Sequence, residues 1–278
     1  MTCGVQHADS DGPPERCPIC DDERQYVGWG GQRWTSLPEL AARAGNRLDE
    51  HEPGLTSVRT EPAFAIGQRA FLLQTPTGNL LWDCVSLLDD RTVAAIADRG
   101  GVDAIAISHP HFYGSCVEWS HAFGGAPIYI HHADREWVMR PSPSVVLWDG
   151  ESHEPLPGLT LVHLAGHFDG AAAVHWPAGA EGRGALLTGD TIQVVMDRRF
   201  VSFMWSYPNL VPLKPHEVAT IVSRAERYEF DRMYGAFQGR TVRTDAAAAL
   251  RRSAARYLGQ VTAPPGGQAT RPTGGVGG

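Results

Sequence analysis

The segment Ser108-His109-Pro110-His111-Phe112-Tyr113-Gly114 constrains this chain most, because two imidazoles two residues apart follow directly on the apolar run Val102 to Ile107. A buried strand that ends in paired histidines reads as half of a metal site, since loops over a rigid sheet are where functional side chains converge. Taken alone, a His-x-His pair is common, and a single histidine is more often a hydrogen-bonded scaffold group than a ligand. The other half must come from elsewhere in the chain. Two later segments are candidates, each placed where a short strand should give way to a loop: Ala165-Gly166-His167-Phe168-Asp169-Gly170 and Leu186-Leu187-Thr188-Gly189-Asp190-Thr191.

In this order and spacing the three segments resemble the metallo-β-lactamase-fold superfamily. The resemblance implies the α/β class, with an αββα sandwich. The family's first signature is His-x-His-x-Asp-His. Here His109 and His111 match it, while Tyr113 stands for the aspartate and Gly114 for the last histidine. The family's Gly-His turn is matched by His167 and its Gly-Asp turn by Asp190. A final histidine that normally follows the last strand is replaced by Phe237, within Arg232 to Gly239. In two-metal members the missing residues all serve the second ion. The resemblance therefore implies one ion, held by His109, His111, His167 and Asp190. Asp83, at the end of the Leu80-Leu81-Trp82 run, matches a family aspartate near the metal, and its expected job is to receive a histidine N–H.

Three imidazoles with an open fourth position make a catalytic zinc set, and histidines mixed with a carboxylate also suit non-haem iron. Zinc lowers the pKa of its water from near 16 to roughly 7, which makes hydroxide available at neutral pH without a second ion. The expected function is thus a metal-dependent hydrolase acting on a small molecule, with Asp190 as ligand or base. Tyr113 is the expected hydrogen-bond donor to a developing oxyanion. Two other readings stay open. One is a mononuclear iron oxygenase, which resembles the persulfide dioxygenase branch of the same fold. The other is a non-catalytic binding or redox module.

A second cysteine-based feature lies near the N-terminus. Cys17-Pro18-Ile19-Cys20 is a C-x-x-C knuckle, and Cys3-Gly4 resembles the end of another. Together they look like a zinc ribbon or rubredoxin-type pair. Such a site needs four ligands, so Cys3, Cys17 and Cys20 are expected to hold a structural zinc, with His7 as the candidate fourth ligand. A thioredoxin-type redox pair should follow a strand, and none precedes Cys17. The Cys-Pro-Ile-Cys run followed by Asp-Glu-Arg-Gln-Tyr-Val resembles the front of one metallo-β-lactamase-fold subfamily, a likeness that implies no particular substrate.

The 278 residues, 42% of them hydrophobic, suffice for a substantial core. The formal charge of −7, with Lys214 the only lysine, argues against broad binding to nucleic acid, which needs clustered cations. No apolar run reaches about 18 residues, so no membrane helix is expected. The first residues carry Asp9, Asp11 and Glu15 without an apolar stretch, unlike a secretory signal. A cytoplasmic protein with a small-molecule substrate is the expectation, with self-association left open. Cys84 and Cys116 should then be free thiols.

Along the chain, 69–75 and 79–84 read as a hairpin and 89–99 as a helix capped by Asp89. Strands are expected at 102–108, 127–130, 159–164, 171–176 and 184–187, and helices at 115–123, 215–230 and 244–258. The aromatic run Val201 to Pro208 is expected to wall a pocket or join the core. The organisation expected is a knuckle and linker over 1–54, a metallo-β-lactamase-like domain over 55–258, and a disordered Gly/Pro-rich tail over 259–278.

Overall fold

The computed structural model describes residues 1–262. The first sheet takes seven strands in sequential order: Gly45–Glu52 (β1), Leu55–Glu61 (β2), Arg69–Thr75 (β3), Gly78–Trp82 (β4), Ala104–Ala106 (β5), Ile128–His131 (β6) and Val145–Trp148 (β7). β1 to β4 are antiparallel; β4 to β7 run parallel. Next come Ser152–Leu156 (β8), Leu159–His163 (β9), Ala172–Trp176 (β10) and Ala185–Leu187 (β11). Two small hairpins follow, Gln193–Val194 (β12) with Val201–Ser202 (β13), and Met204–Ser206 (β14) with Val211–Pro212 (β15). Arg232–Tyr234 (β16) and Thr241–Val242 (β17) complete a second sheet, ordered β17-β16-β11-β10-β9-β8.

Strand alternation sorts side chains into three layers, because successive residues of a strand point to opposite faces. Phe71, Leu73, Leu80 and Trp82 meet Leu161, Val174, Leu187 and Tyr234 between the sheets. Their neighbours Ala70, Leu72, Leu81 and Ile105 face outward onto helices. These helices are Asp90–Ala97 and Cys116–Ala122, which contribute Ile96, Val117 and Trp119. On the far side Val162, Ala173, Leu186 and Met233 meet Val218, Ile221, Ala249 and Leu250, carried by Pro215–Ala225 and Ala246–Thr262. The result is the αββα sandwich.

Several boundaries differ from the sequence expectation. The first sheet begins at Gly45, so the boundary expected at 54 falls in the β1–β2 turn. β1 is rich in charge (Arg47, Asp49, Glu50) and lies at the sheet edge, where such residues blunt pairing with other chains and also hide the strand's apolar signal. Cys3, Val5, Cys17, Ile19 and Cys20 share one buried cluster with Leu81 and Val117, so the knuckle segment packs on the sandwich. Gly259 to Thr262 continue the last helix; residues 263–278 of the expected tail lie outside the described residues. No helix among the described residues is long and apolar enough to cross a membrane.

Candidate metal centre

β5 is short, and the chain leaves it through Ser108 into the one-turn helix Pro110–Phe112. That turn lifts His109 and His111 to the same side. His167 follows β9 in a turn where Gly166 has φ +85°, and Asp190 follows β11 after Gly189 with φ +55°. All three loops open on one edge of the sandwich, so His109, His111, His167 and Asp190 converge, with one ligand atom from each lying within 4.8 Å of the others. The imidazole centroids form a triangle of 5.2, 4.9 and 5.4 Å.

The three Nε2 atoms are buried and without a hydrogen-bond partner among the described residues. Three orphaned nitrogens in one place are costly in a bare core, and they fit a common metal ion. Burial holds the rings neutral, the form that coordinates: it lowers His109 and His111 far below the usual imidazole range and His167 to about 4. Burial also raises Asp190 to about 7. Its Oδ2 lies 3.9 Å from His109 Nε2, and its Oδ1 accepts from Gln193 at 3.3 Å.

The opposite ring nitrogens are oriented. His167 Nδ1 donates to the Met204 carbonyl at 3.0 Å. His109 Nδ1 meets Ser108 Oγ at 2.9 Å. Asp83 was expected to receive a histidine N–H directly. Instead its carboxylate accepts the Ser108 amide at 2.7 Å and also takes a bond from the Ser108 side chain, so Ser108 stands between acid and imidazole. Burial, opposed by those two bonds, raises Asp83 to about 8.

Tyr113 is a correction. Its hydroxyl donates to the Asp134 carbonyl at 3.2 Å, inside the core beside Val5 and Met139. It does not reach the pocket, and an oxyanion-donating role has no geometry here. Gly114 leaves no room for the family's second-site histidine: at φ +51°, a Cβ would sit 2.8 Å from the Cys84 carbonyl oxygen and 2.9 Å from that of Val85. Phe237 lines the pocket where the resemblance placed a final histidine.

A cavity of about 240 Å³ adjoins His111, His167 and Asp190. Its remaining wall includes residues to which the sequence assigned no place at the site: Arg24 and Gln25, from the Asp-Glu-Arg-Gln-Tyr-Val run, with Ile66 and Gln193. Of the aromatic run, Tyr207 reaches this cavity and bonds the Asp190 carbonyl at 2.9 Å, whereas Phe203 is core. Only the fold carries Arg24 here, from beside the knuckle. A larger cavity, about 590 Å³, lies under the N-terminal segment and holds none of these histidines.

The knuckle residues also come together. The sulfurs of Cys3, Cys17 and Cys20 cluster within 4.8 Å, with Cys3 and Cys17 at 3.8 Å. His7 Nε2 lies 3.3 Å from Cys17 Sγ. Cys84 and Cys116 are buried free thiols.

The chain is 49% identical over 259 residues to the uncharacterized protein YmaE of Bacillus subtilis (strain 168), covering 92% of this chain and 94% of that one. The chain belongs to the YmaE family. No protein-family model matches it. Among solved structures, the metallo-β-lactamase FIM-1 from Pseudomonas aeruginosa, in its mono-zinc form, aligns at a TM-score of 0.58 with 14% identity. That match covers 79% of this chain and 97% of that one. The flavodiiron core of Flv1 from Synechocystis sp. PCC6803, metal soaked, aligns at 0.56 with 14% identity, covering 79% and 62%. This YmaE relative therefore has the metallo-β-lactamase fold, with a His/Asp cluster where such a fold carries its functional loops.

Proposed function

We propose that the chain is a mononuclear metallo-hydrolase of a small molecule, with the ion held by His109, His111, His167 and Asp190. The observation that carries this reading is the convergence of three buried, unpartnered Nε2 atoms beside a carboxylate. The closed backbone at Gly114 and the phenyl ring of Phe237 support a single ion. A zinc ion there would supply Lewis acidity and hydroxide at neutral pH. The chain's own groups do the rest. Ser108 and the Met204 carbonyl fix the rings of His109 and His167, while Asp190 Oδ2 faces the same space as fourth donor or as base. Ile66, Tyr207 and Phe237 limit water, and the cavity of about 240 Å³ favours a small substrate. A second, structural zinc at Cys3, Cys17 and Cys20, with His7, accompanies it.

An iron-dependent oxygenase is the second reading, favoured by the carboxylate within reach of the three imidazoles. Elemental analysis of the native chain and of His109→Ala/His111→Ala tests both. About two ions per chain falling to one in the double variant is the expected result. Zinc, with hydrolysis of small esters or thioesters, supports the hydrolase, whereas iron with oxygen uptake supports the oxygenase. No loss of metal on mutation would overturn both and leave a non-catalytic module.

A further inference from the structure

We propose that the cysteine knuckle is a closed Cys3-His7-Cys17-Cys20 site for a soft divalent cation, and that filling it tightens metal binding at the histidine centre through Arg24. This deepens the metal assignments above and rests on them.

The donor set is built rather than incidental. The Cys3 and Cys17 sulfurs stand 3.8 Å apart, and His7 Nε2 stands 3.3 Å from Cys17 Sγ. With metal bonds of about 2.3 Å to sulfur and about 2.0 Å to nitrogen, two ligands of one tetrahedral ion sit at about these separations. The three sulfurs form the tight cluster, and His7, outside it but against Cys17, would swing in to complete the set when the ion binds. The His7 ring is braced edge-on by Trp34, with centroids 5.0 Å apart. The Val5 amide points at Cys3 Sγ at 3.5 Å. Gln32 ties the knuckle together, accepting from the Cys17 amide at 2.7 Å and donating to Asp21 at 2.6 Å.

From Cys20 the chain passes at once into a turn made by Asp22. The Asp22 carboxylate accepts from the Arg24 amide at 2.9 Å and from its guanidinium at 2.8 and 3.2 Å. The guanidinium lies 3.9 Å over the Phe168 ring and donates to the His167 carbonyl at 3.2 Å. The Arg24 carbonyl accepts from Ser206 at 3.0 Å, in the hairpin whose Met204 carbonyl holds the His167 ring. Arg24 thus clamps the backbone of one proposed ligand against the strand that orients its side chain. It is a positioning residue, and residues that orient ligands in this way govern metal affinity. A cation that freezes Cys17 and Cys20 fixes the origin of this clamp, so the two sites share coupling free energy, and the coupling is reciprocal.

The test is a metal titration of the full chain with cobalt and zinc. The thiolate-to-cobalt charge-transfer band reports the knuckle, and competition with a chelator reports the histidine centre. Arg24→Met should weaken the histidine centre on the order of tenfold and leave the thiolate band intact. His7→Ala should weaken the knuckle, His7→Cys should restore it, and the histidine centre should weaken and recover in step. Unchanged knuckle affinity in His7→Ala would overturn the four-donor site. Equal histidine-centre affinity in Arg24→Met, or with the knuckle empty, would overturn the coupling alone. A chain that forms the thiolate band while its histidines take no ion would overturn the hydrolase reading and the coupling together, leaving the knuckle standing.

Discussion

Ser108 links Asp83 to His109, accepting nothing from solvent because it is fully buried. Replacing it by alanine removes the partner of His109 Nδ1 and leaves the Asp83 carboxyl with one bond fewer. Ser108→Ala should lower affinity at the histidine centre by about ten- to a hundredfold, read by chelator competition; native affinity would show that the ring needs no such support. The proposed ligands were legible in the sequence because each follows an apolar run at a strand end. Ser108 and Arg24 were not. A serine or an arginine carries no periodic signal, and its meaning comes from the atom opposite, which here lies 25 and 143 residues away. The same limit explains Tyr113, whose place in the motif suggested the pocket although its ring joins the core.

At the scale of the element, the turn between Pro110–Phe112 and Cys116–Ala122 decides how many ions the centre can hold. Gly114 combines φ +51° with backbone oxygens 2.8 and 2.9 Å from any Cβ. Gly114→Ala should therefore cost at least about 1–3 kcal/mol, seen as a lower midpoint in urea. Gly114→His with Phe237→His, which restores two family residues, should still bind a single ion at the centre. Two ions there by elemental analysis would show that the turn yields. The layers were legible wherever a strand is buried on both faces and reads as a continuous apolar run, as in β3 to β5 and β9 to β11. The edge strands β1, β7 and β8 were missed: β1 and β8 carry charge (Arg47, Asp49, Glu50 and Glu154), and β7, apolar throughout, is only four residues long and buries Trp148 alone.

At the scale of the whole molecule, the two sheets enclose ionisable groups that tie stability to pH. His51 sits against Phe71, Tyr234 and the buried Arg69, with its Nε2 at 2.8 Å from Ser57 Oγ. Burial, then Arg69, lowers its pKa from 6.5 to about 4. Between these values the unfolded chain binds more protons than the folded one, so this contribution is present above pH 6.5 and is lost as pH falls toward 4. His51→Gln should flatten the rise of stability with pH across that window, measured by urea unfolding; an unaltered slope would assign it to other groups, such as His163, which burial also lowers to about 4. The sequence by itself determined the layered fold, the three histidines and the cysteine knuckle, because alternation and strand-end motifs are local and survive without a partner. The tertiary structure alone decided that Tyr113 turns away, that Gly114 closes the second-site position, and that the knuckle reaches the metal pocket through Arg24. Each of these depends on which distant backbone atoms lie within about 3 Å, the range in which hydrogen bonds and steric exclusion act, and chain order does not encode that proximity.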